Sequence, residues 1–238
     1  MTEALLLEQV TKTYGDRRVV DGLDLSIAPG SVVALLGPNG AGKSTTMTMC
    51  AGFMAPDEGR IAVGGVDLKT QREKARALLT YLPENVVLYD ELTGRENLAH
   101  LLEIGGSPRL RGNALDQALA RTGLATEAFG RRARTYSKGM RQKVGLALAL
   151  ARGSRLLLLD EPTSGLDPHS AAEFGTALRE AANSGVGVLM ATHDIWRARE
   201  VADRILVLVR GRLAVELDPR SMSADDVERR FFVEAEAA

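Results

Sequence analysis

A chain of 238 residues, 45% of them hydrophobic, can bury the core of one sizeable domain and is too short for two full ones. Its 30 lysines and arginines nearly balance 31 aspartates and glutamates, a formal charge of −1, so no global field draws it to nucleic acid or anionic lipid. The single cysteine, Cys50, excludes an internal disulfide, and the start Met-Thr-Glu-Ala lacks a secretory pattern.

The chain opens β-rich. Apolar segments at Leu5 to Val10, Leu23 to Ile27 and Val32 to Leu36, separated by Tyr14-Gly15-Asp16 and Pro29-Gly30, predict strands and turns. From about Leu92 to Ala151 the spacing becomes helical: Leu98, Leu101 and Leu102 recur, then Met140, Val144, Ala147, Leu148 and Ala151 share a face. A buried-type strand (Leu156 to Asp160) follows, then a helix starting near Pro168, a strand (Val186 to Thr192), a short helix and a strand (Arg204 to Val209). Alternation of this kind predicts a parallel sheet covered by helices. The tail from Ser221 is expected to be a short helix, with Asp225, Asp226 and Glu228 near its start and no chemistry of its own. The most apolar runs, Val144 to Ala151, Leu156 to Leu159 and Val186 to Ala191, fall far short of the roughly 20 residues that cross a bilayer, so the chain is not expected to span one, and the lone cysteine with the non-secretory start predicts a cytosolic compartment. No repeat or linker divides the chain.

The chemistry lies at the ends of the predicted strands. Gly37-Pro38-Asn39-Gly40-Ala41-Gly42-Lys43-Ser44, followed by Thr45, has P-loop spacing between an apolar strand and a helix. Glycines at 37, 40 and 42 let backbone N–H groups face phosphate, and the following helix offers its positive end. Lys43 reaches the terminal phosphates, and the Ser44 hydroxyl suits a bridging magnesium. Asp160-Glu161 ends the strand that is apolar on both faces; Asp160 suits a magnesium water shell and Glu161 the polarisation of an attacking water. His193, after the next strand, is placed to contact the γ-phosphate and that water. His100 and His169 lack such context and read as packing or surface residues. Met47, Met49 and Cys50 suggest a soft-metal site, yet successive helix positions diverge and these types fill cores, so packing is expected. Arg131, Arg132 and Arg134, without interleaved aromatics, read as a solvated basic loop.

Together with three further segments, these motifs resemble the ABC transporter ATPases. Tyr14 lies where that family stacks an aromatic on adenine, Tyr136-Ser-Lys-Gly-Met-Arg-Gln142 is similar to its signature, Ser164-Gly-Leu-Asp167 to its D-loop, and His193 falls on its switch histidine. The resemblance implies an α/β fold: a P-loop NTPase (RecA-like) core with a parallel sheet, an N-terminal antiparallel β subdomain and an inserted helical subdomain. Within one ATPase domain, 1–238, it implies a β-rich and P-loop part (about 1–90), a helical part with the signature (about 91–152), a Walker B, D-loop and histidine part (about 153–220) and a tail (221–238).

It further implies ATP and Mg2+ as cofactors. Ser137, as helix cap, and Gly139 are expected to bind the γ-phosphate held by an opposite subunit, with Asp167 beside the shared nucleotide, so that two ATP molecules are sandwiched between copies and Glu161 acts on closure. Ser44, Glu84 and Asp160 are the expected metal set. A homodimer is expected, with no nucleic acid. An integral-membrane transporter subunit is expected in a groove near Val87, Leu88 and Tyr89, which places the chain at the cytoplasmic face of the cell membrane. Three positions depart from the common pattern: Lys138 stands for a glycine, Met140 for a glutamine, and Glu84 for the Q-loop glutamine. The run from Leu82 to Asn97 and the signature are similar to ATPases of ABC-2-type exporters, among them those of nitrous-oxide reductase maturation and of antibiotic or lipid export. A soluble ABC protein acting on ribosomes or DNA is the alternative, but such proteins carry two cassettes or a long coiled-coil insertion. A P-loop kinase fails on the signature and D-loop segments.

Overall fold

The computed structural model describes residues 2–106 and 110–236. Strands β1 (Leu5–Tyr14) and β2 (Arg17–Ile27) form a hairpin, and β3 (Val32–Leu36) leads through the glycine-rich loop into α1 (Lys43–Cys50). Next come β4 (Glu58–Val63), β5 (Val66–Asp67), α2 (Arg72–Ala77) and β6 (Leu79–Leu82). A helical section follows, with α3 (Gly94–Ile104), α4 (Asn113–Ala120) and α5 (Lys138–Ala151). The chain continues through β7 (Leu156–Asp160), α6 (Pro168–Asn183), β8 (Gly187–Ala191), α7 (Ile195–Val201), β9 (Arg204–Val209), β10 (Arg212–Leu217) and α8 (Ala224–Glu236).

Two sheets result. The first is antiparallel, in the order β2-β1-β4-β5; the second runs β10-β9-β3-β8-β7-β6, with every neighbouring pair parallel except β10 against β9. The expected architecture is therefore present. The hairpin is longer than the apolar pattern predicts, because a left-handed Gln9 (φ 49°) and Gly22 (φ 59°) accompany shifts of register that break the alternation. Tyr14 closes β1 rather than opening a turn. Strands β4, β5, β6 and β10 were not predicted; β4 opens on the exposed Glu58-Gly59-Arg60, and β10 is a largely exposed edge strand, so neither carries a clean apolar run.

Strand periodicity explains how the parallel sheet is buried on both faces. Val33 and Leu35 of β3, with Leu156 and Leu158 of β7, enter an apolar cluster shared with Leu5 and Met47. The alternate residues Val32, Ala34, Leu36, Leu157 and Leu159 enter a second cluster beneath Phe174 and Leu178 of α6. Each fully buried leucine or valine contributes roughly 1.5–3 kcal/mol relative to exposure. The helical section has a core of its own around Leu98, Leu102, Leu119, Phe129 and Val144. Helix α3 begins at a capping box between Thr93 and Glu96. The Tyr136 hydroxyl crosses its first turn to donate to the Ala128 carbonyl at 2.6 Å, and a Cβ on Gly94 would sit 2.2 Å from that hydroxyl oxygen. Only glycine fits there.

Candidate nucleotide site

Register brings the chemistry together. Ala191 of β8 pairs with both Leu35 of β3 and Asp160 of β7, so the three strands end level. The row continues outward, with Glu161 N donating to Ala191 O (2.8 Å) and Thr192 N donating to Leu35 O (3.2 Å). The glycine-rich loop, Asp160-Glu161 and Thr192-His193 therefore open on one edge of the sheet, the carboxyl edge at which open α/β sheets receive ligands.

The loop leaves a helix end without a side-chain cap. Serine or aspartate caps begin α5 (Ser137), α6 (Asp167) and α7 (Asp194), each accepting from a first-turn N–H, whereas α1 begins after Gly42 at φ 107° with no cap bond and no acid in its first turn. A Cβ on Gly37 would lie 2.4 Å from Leu208 O, and one on Gly42 would lie 2.5 Å from Val19 O. Pro38, Asn39, Gly40 and Ser44 are exposed, Ala41 is buried and Thr45 half-buried. Lys43 Nζ donates to the Gly37 and Pro38 carbonyls and, among the described residues, forms no ion pair. Burial pulls its pKa down, against the pull of the Glu161 and Asp160 charges. An unpaired cation above free N–H donors fits the phosphates of ATP.

Opposite stands a crowd of acids. Burial pushes the Asp160 carboxyl above the usual carboxylate range, and the neighbouring charges of Glu161 and Glu84 push it further; the Tyr81 hydroxyl, donating to Asp160 Oδ2 at 3.2 Å, and Lys43 oppose this. Glu161 sits in the left-handed region at φ 47°, a conformation that costs a non-glycine residue roughly 1–2 kcal/mol. It is held there by the two residues that follow β8: Thr192 Oγ1 donates to Oε2 (3.0 Å) and His193 Nδ1 meets Oε1 at 2.9 Å. The His193 ring is 70% exposed, so one imidazole face is free for ligand while Nδ1 is tied to the carboxylate. Among the described residues no cluster of three or more His, Cys, Asp or Glu could hold a metal alone. The exposed Ser44 hydroxyl and the crowded Asp160 fit magnesium, which is bound by one or two side chains jointly with substrate phosphates.

Three further expected residues, Ser137, Gly139 and Asp167, make their contacts near the starts of α5 and α6. Ser137 accepts from Met140 N at 3.3 Å, and a Cβ on Gly139 would touch Ser170 at 3.3 Å. Asp167 accepts from Ser170 N (3.0 Å) and Ser170 Oγ (2.6 Å). Among the described residues no hydrogen bond or ion pair joins Ser137, Gly139 or Asp167 to residues 37–45. Tyr14 is half-exposed, its hydroxyl against Met54 Sδ (3.0 Å) and the Lys12 ammonium 5.9 Å from its ring centre.

Other expected residues sort by burial. Leu88 is largely buried in the helical core and shows only an edge to the adjoining surface cavity, while Val87 is 83% exposed and Tyr89 half-exposed against His100. Met47, Met49 and Cys50 are core residues, and burial pushes the Cys50 thiol up to about 12. Arg132 and Arg134 reach Glu91 at 2.9 and 3.7 Å. Tyr81, Thr192 and Gln142, which donates to Glu84 O at 2.9 Å, bond to site residues without having been singled out in the sequence. Thr192 had a signal as the neighbour of His193 at the end of an apolar strand, and Gln142 as the last residue of the signature-like segment.

The ABC transporter family model matches residues 20–164. The chain belongs to that family. This ABC ATPase is 40% identical over 215 residues to the daunorubicin resistance ATP-binding protein DrrA3 of Streptomyces coeruleorubidus, covering 90% of this chain and 67% of that protein. It is 36% identical over 219 residues to the Nod factor export ATP-binding protein I of Rhizobium etli, covering 92% and 69% respectively. Among solved structures, an ATP-binding subunit of an ABC transporter superposes with TM-score 0.81 at 29% identity, over 96% of this chain and 99% of that one. The cassette MJ0796, a dimer in a post-hydrolysis state bound to ADP and Pi, superposes with TM-score 0.79 at 27% identity, over 92% and 100%. The fold is that of the ABC cassettes, and the protein is an ATP-binding ATPase of the kind that works with membrane subunits.

Proposed function

We propose that this subunit energises an ABC-2-type exporter by closing with a second copy of itself around two ATP molecules, while a separate integral-membrane subunit carries the substrate. One observation carries the proposal: the phosphate loop and acids meet at one sheet edge, while Ser137 and Gly139 make no bond to that loop, so one chain holds two half-sites. The dimeric state of MJ0796 and the export named for the Rhizobium relative support the same reading.

In this reading the α1 N–H groups and Lys43 bind the terminal phosphates, Tyr14 stacks on adenine, and Ser137 and Gly139 reach the γ-phosphate on the partner copy, with Asp167 beside it. Ser44, Asp160 and Glu84 would hold a magnesium ion, which when bound would neutralise charge on the phosphate oxygens. Glu161 orients the attacking water and takes its proton, and His193 fixes Glu161 and faces the γ-phosphate. The division into β-rich, helical and Walker B parts with a tail belongs to the same proposal.

The membrane subunit is assigned to the exposed Val87 and Tyr89, beside a cavity of about 350 Å3 lined in part by Val86, Val87, Asp90 and Arg141. Among the described residues no helix is long and apolar enough to cross a membrane. The proposed location is therefore peripheral, on the cytoplasmic face. The test is purification of tagged Glu161→Gln chain from cells with ATP and magnesium. A nucleotide-loaded dimer with a multi-spanning protein supports the proposal; ribosomes, or no membrane protein, overturn it.

A further inference from the structure

Glu84 is gripped by three side chains from two parts of the chain. Its Oε1 accepts from Lys138 Nζ at 3.2 Å, in the first turn of α5, and from Ser164 Oγ at 3.0 Å, in the loop between β7 and α6. Its carbonyl oxygen accepts from Gln142 Nε2 at 2.9 Å, one turn further along α5, and Gln142 is fully buried. Gly165, next to Ser164, leaves space beside the ammonium: a Cβ there would sit 3.8 Å from Lys138 Nζ. The Ser164 bond, then the bond and charge of Lys138, hold the Glu84 carboxyl below the ordinary range, and the charge of His193 acts in the same direction.

The surroundings give this contact its purpose. Glu84 adds its charge to an edge that already carries Asp160 and Glu161, and it pushes against Asp160. A site that must stabilise the negative charge developing during phosphoryl transfer is hampered by a third uncompensated carboxylate. An ordinary surface ion pair contributes little to stability, and this one is 26% and 45% exposed at its two side chains, so fold stability does not account for it. Its acceptor oxygen is also shared with a hydroxyl from another element, which fixes direction as well as charge.

We propose that Lys138 and Ser164 are positioning residues for Glu84: they aim its carboxylate at the nucleotide edge, and the Lys138 charge is what allows a glutamate to work there. The inference rests on the assignment of Glu84 to the nucleotide site. Glu84 and Lys138 thus form one functional unit, in which either member alone is a liability. A neutral pair would need no counter-charge.

The experiment is a charge-compensation series in the full chain: Lys138→Met, Lys138→Arg, Ser164→Ala, Glu84→Gln and the double variant Glu84→Gln with Lys138→Met. Steady-state ATP hydrolysis is measured beside ATP affinity from thermal upshift, with melting temperature as the control for folding. Lys138→Met is expected to lower kcat about tenfold with ATP affinity within about twofold of wild type, corresponding to about 1.4 kcal/mol. Ser164→Ala is expected to lower kcat several-fold, Lys138→Arg to retain the wild-type rate, and the double variant to recover at least half of what Lys138→Met loses. A double variant as slow as Lys138→Met overturns the proposal, since Lys138 would then act independently of Glu84. So does a Lys138→Met chain with the wild-type rate. Failure of the underlying site assignment looks different: Glu84→Gln and Lys43→Ala would then both hydrolyse ATP at the wild-type rate.

Discussion

Asn97 gives the sharpest quantitative test of how the exposed loop before α3 is held. The residue is fully buried; its Oδ1 accepts from Tyr89 N (2.8 Å), and its Nδ2 donates to the carbonyls of Tyr89 (3.0 Å), Leu92 (3.2 Å) and Thr93 (2.9 Å). In Asn97→Ala the three carbonyls keep other partners, the amides of Leu92, Ala133 and residue 97 itself, but Tyr89 N–H is orphaned. Loss of this part-buried bond leaves the Tyr89 N–H without its partner and costs about 1–3 kcal/mol, and the remaining bonds about 1 more, so the expected destabilisation is about 2–4 kcal/mol. At about 2–4 °C per kcal/mol for a domain of this size, the melting temperature should fall by about 5–15 °C. Asn97→Asp should fall further, because a carboxylate can still accept from Tyr89 N but would be buried against three carbonyl oxygens. Thermal unfolding followed by circular dichroism reads all three chains. An alanine variant within about 2 °C of wild type, or an aspartate variant more stable than it, refutes the assignment. Because Val87 and Tyr89 sit in this loop, Asn97→Ala should also weaken recovery of the membrane subunit while leaving ATP affinity intact.

Lys43→Ala removes the lysine of the phosphate loop, which forms no ion pair among the described residues; charged hydrogen bonds contribute about 1.5–3 kcal/mol, so ATP affinity measured by equilibrium titration should fall about 10- to 100-fold. Gly37→Ala places a Cβ 2.4 Å from Leu208 O and should cost about 1–3 kcal/mol in urea unfolding while impairing ATP binding, since β9 must shift to admit it. For Asp160, whose folded pKa is raised, the cost of its charge is fully present above the folded pKa and disappears as pH falls below the unfolded value of 3.8. Asp160→Asn should therefore raise the melting temperature at pH 7, with the gain shrinking toward pH 4, and should abolish magnesium-dependent hydrolysis. A variant less stable than wild type at pH 7 counts against this account.

The local motifs were legible because they obey local rules. A P-loop needs glycines at fixed offsets between a strand and a helix, and Gly37 to Ser44 have them. An apolar run ending in Asp160-Glu161 declares a buried strand whose carboxyl end faces ligand, and Ser137 announces a helix start three residues before the N–H it accepts. Edge and polar strands such as β10 escaped, because their pairing partners, not their own composition, make them strands. Leu88 could not be told from its exposed neighbours, since one residue of a loop turns inward only when a core such as that of Leu98 and Leu102 exists to receive it. The junction at Glu84 belongs wholly to tertiary structure. Its partners lie 54 and 80 residues away, and no spacing rule links them. The sequence by itself determined which chemical groups stand at the ends of the strands; the level register of β3, β8 and β7, and the packing of α5 against the loop after β6, decided which of them meet.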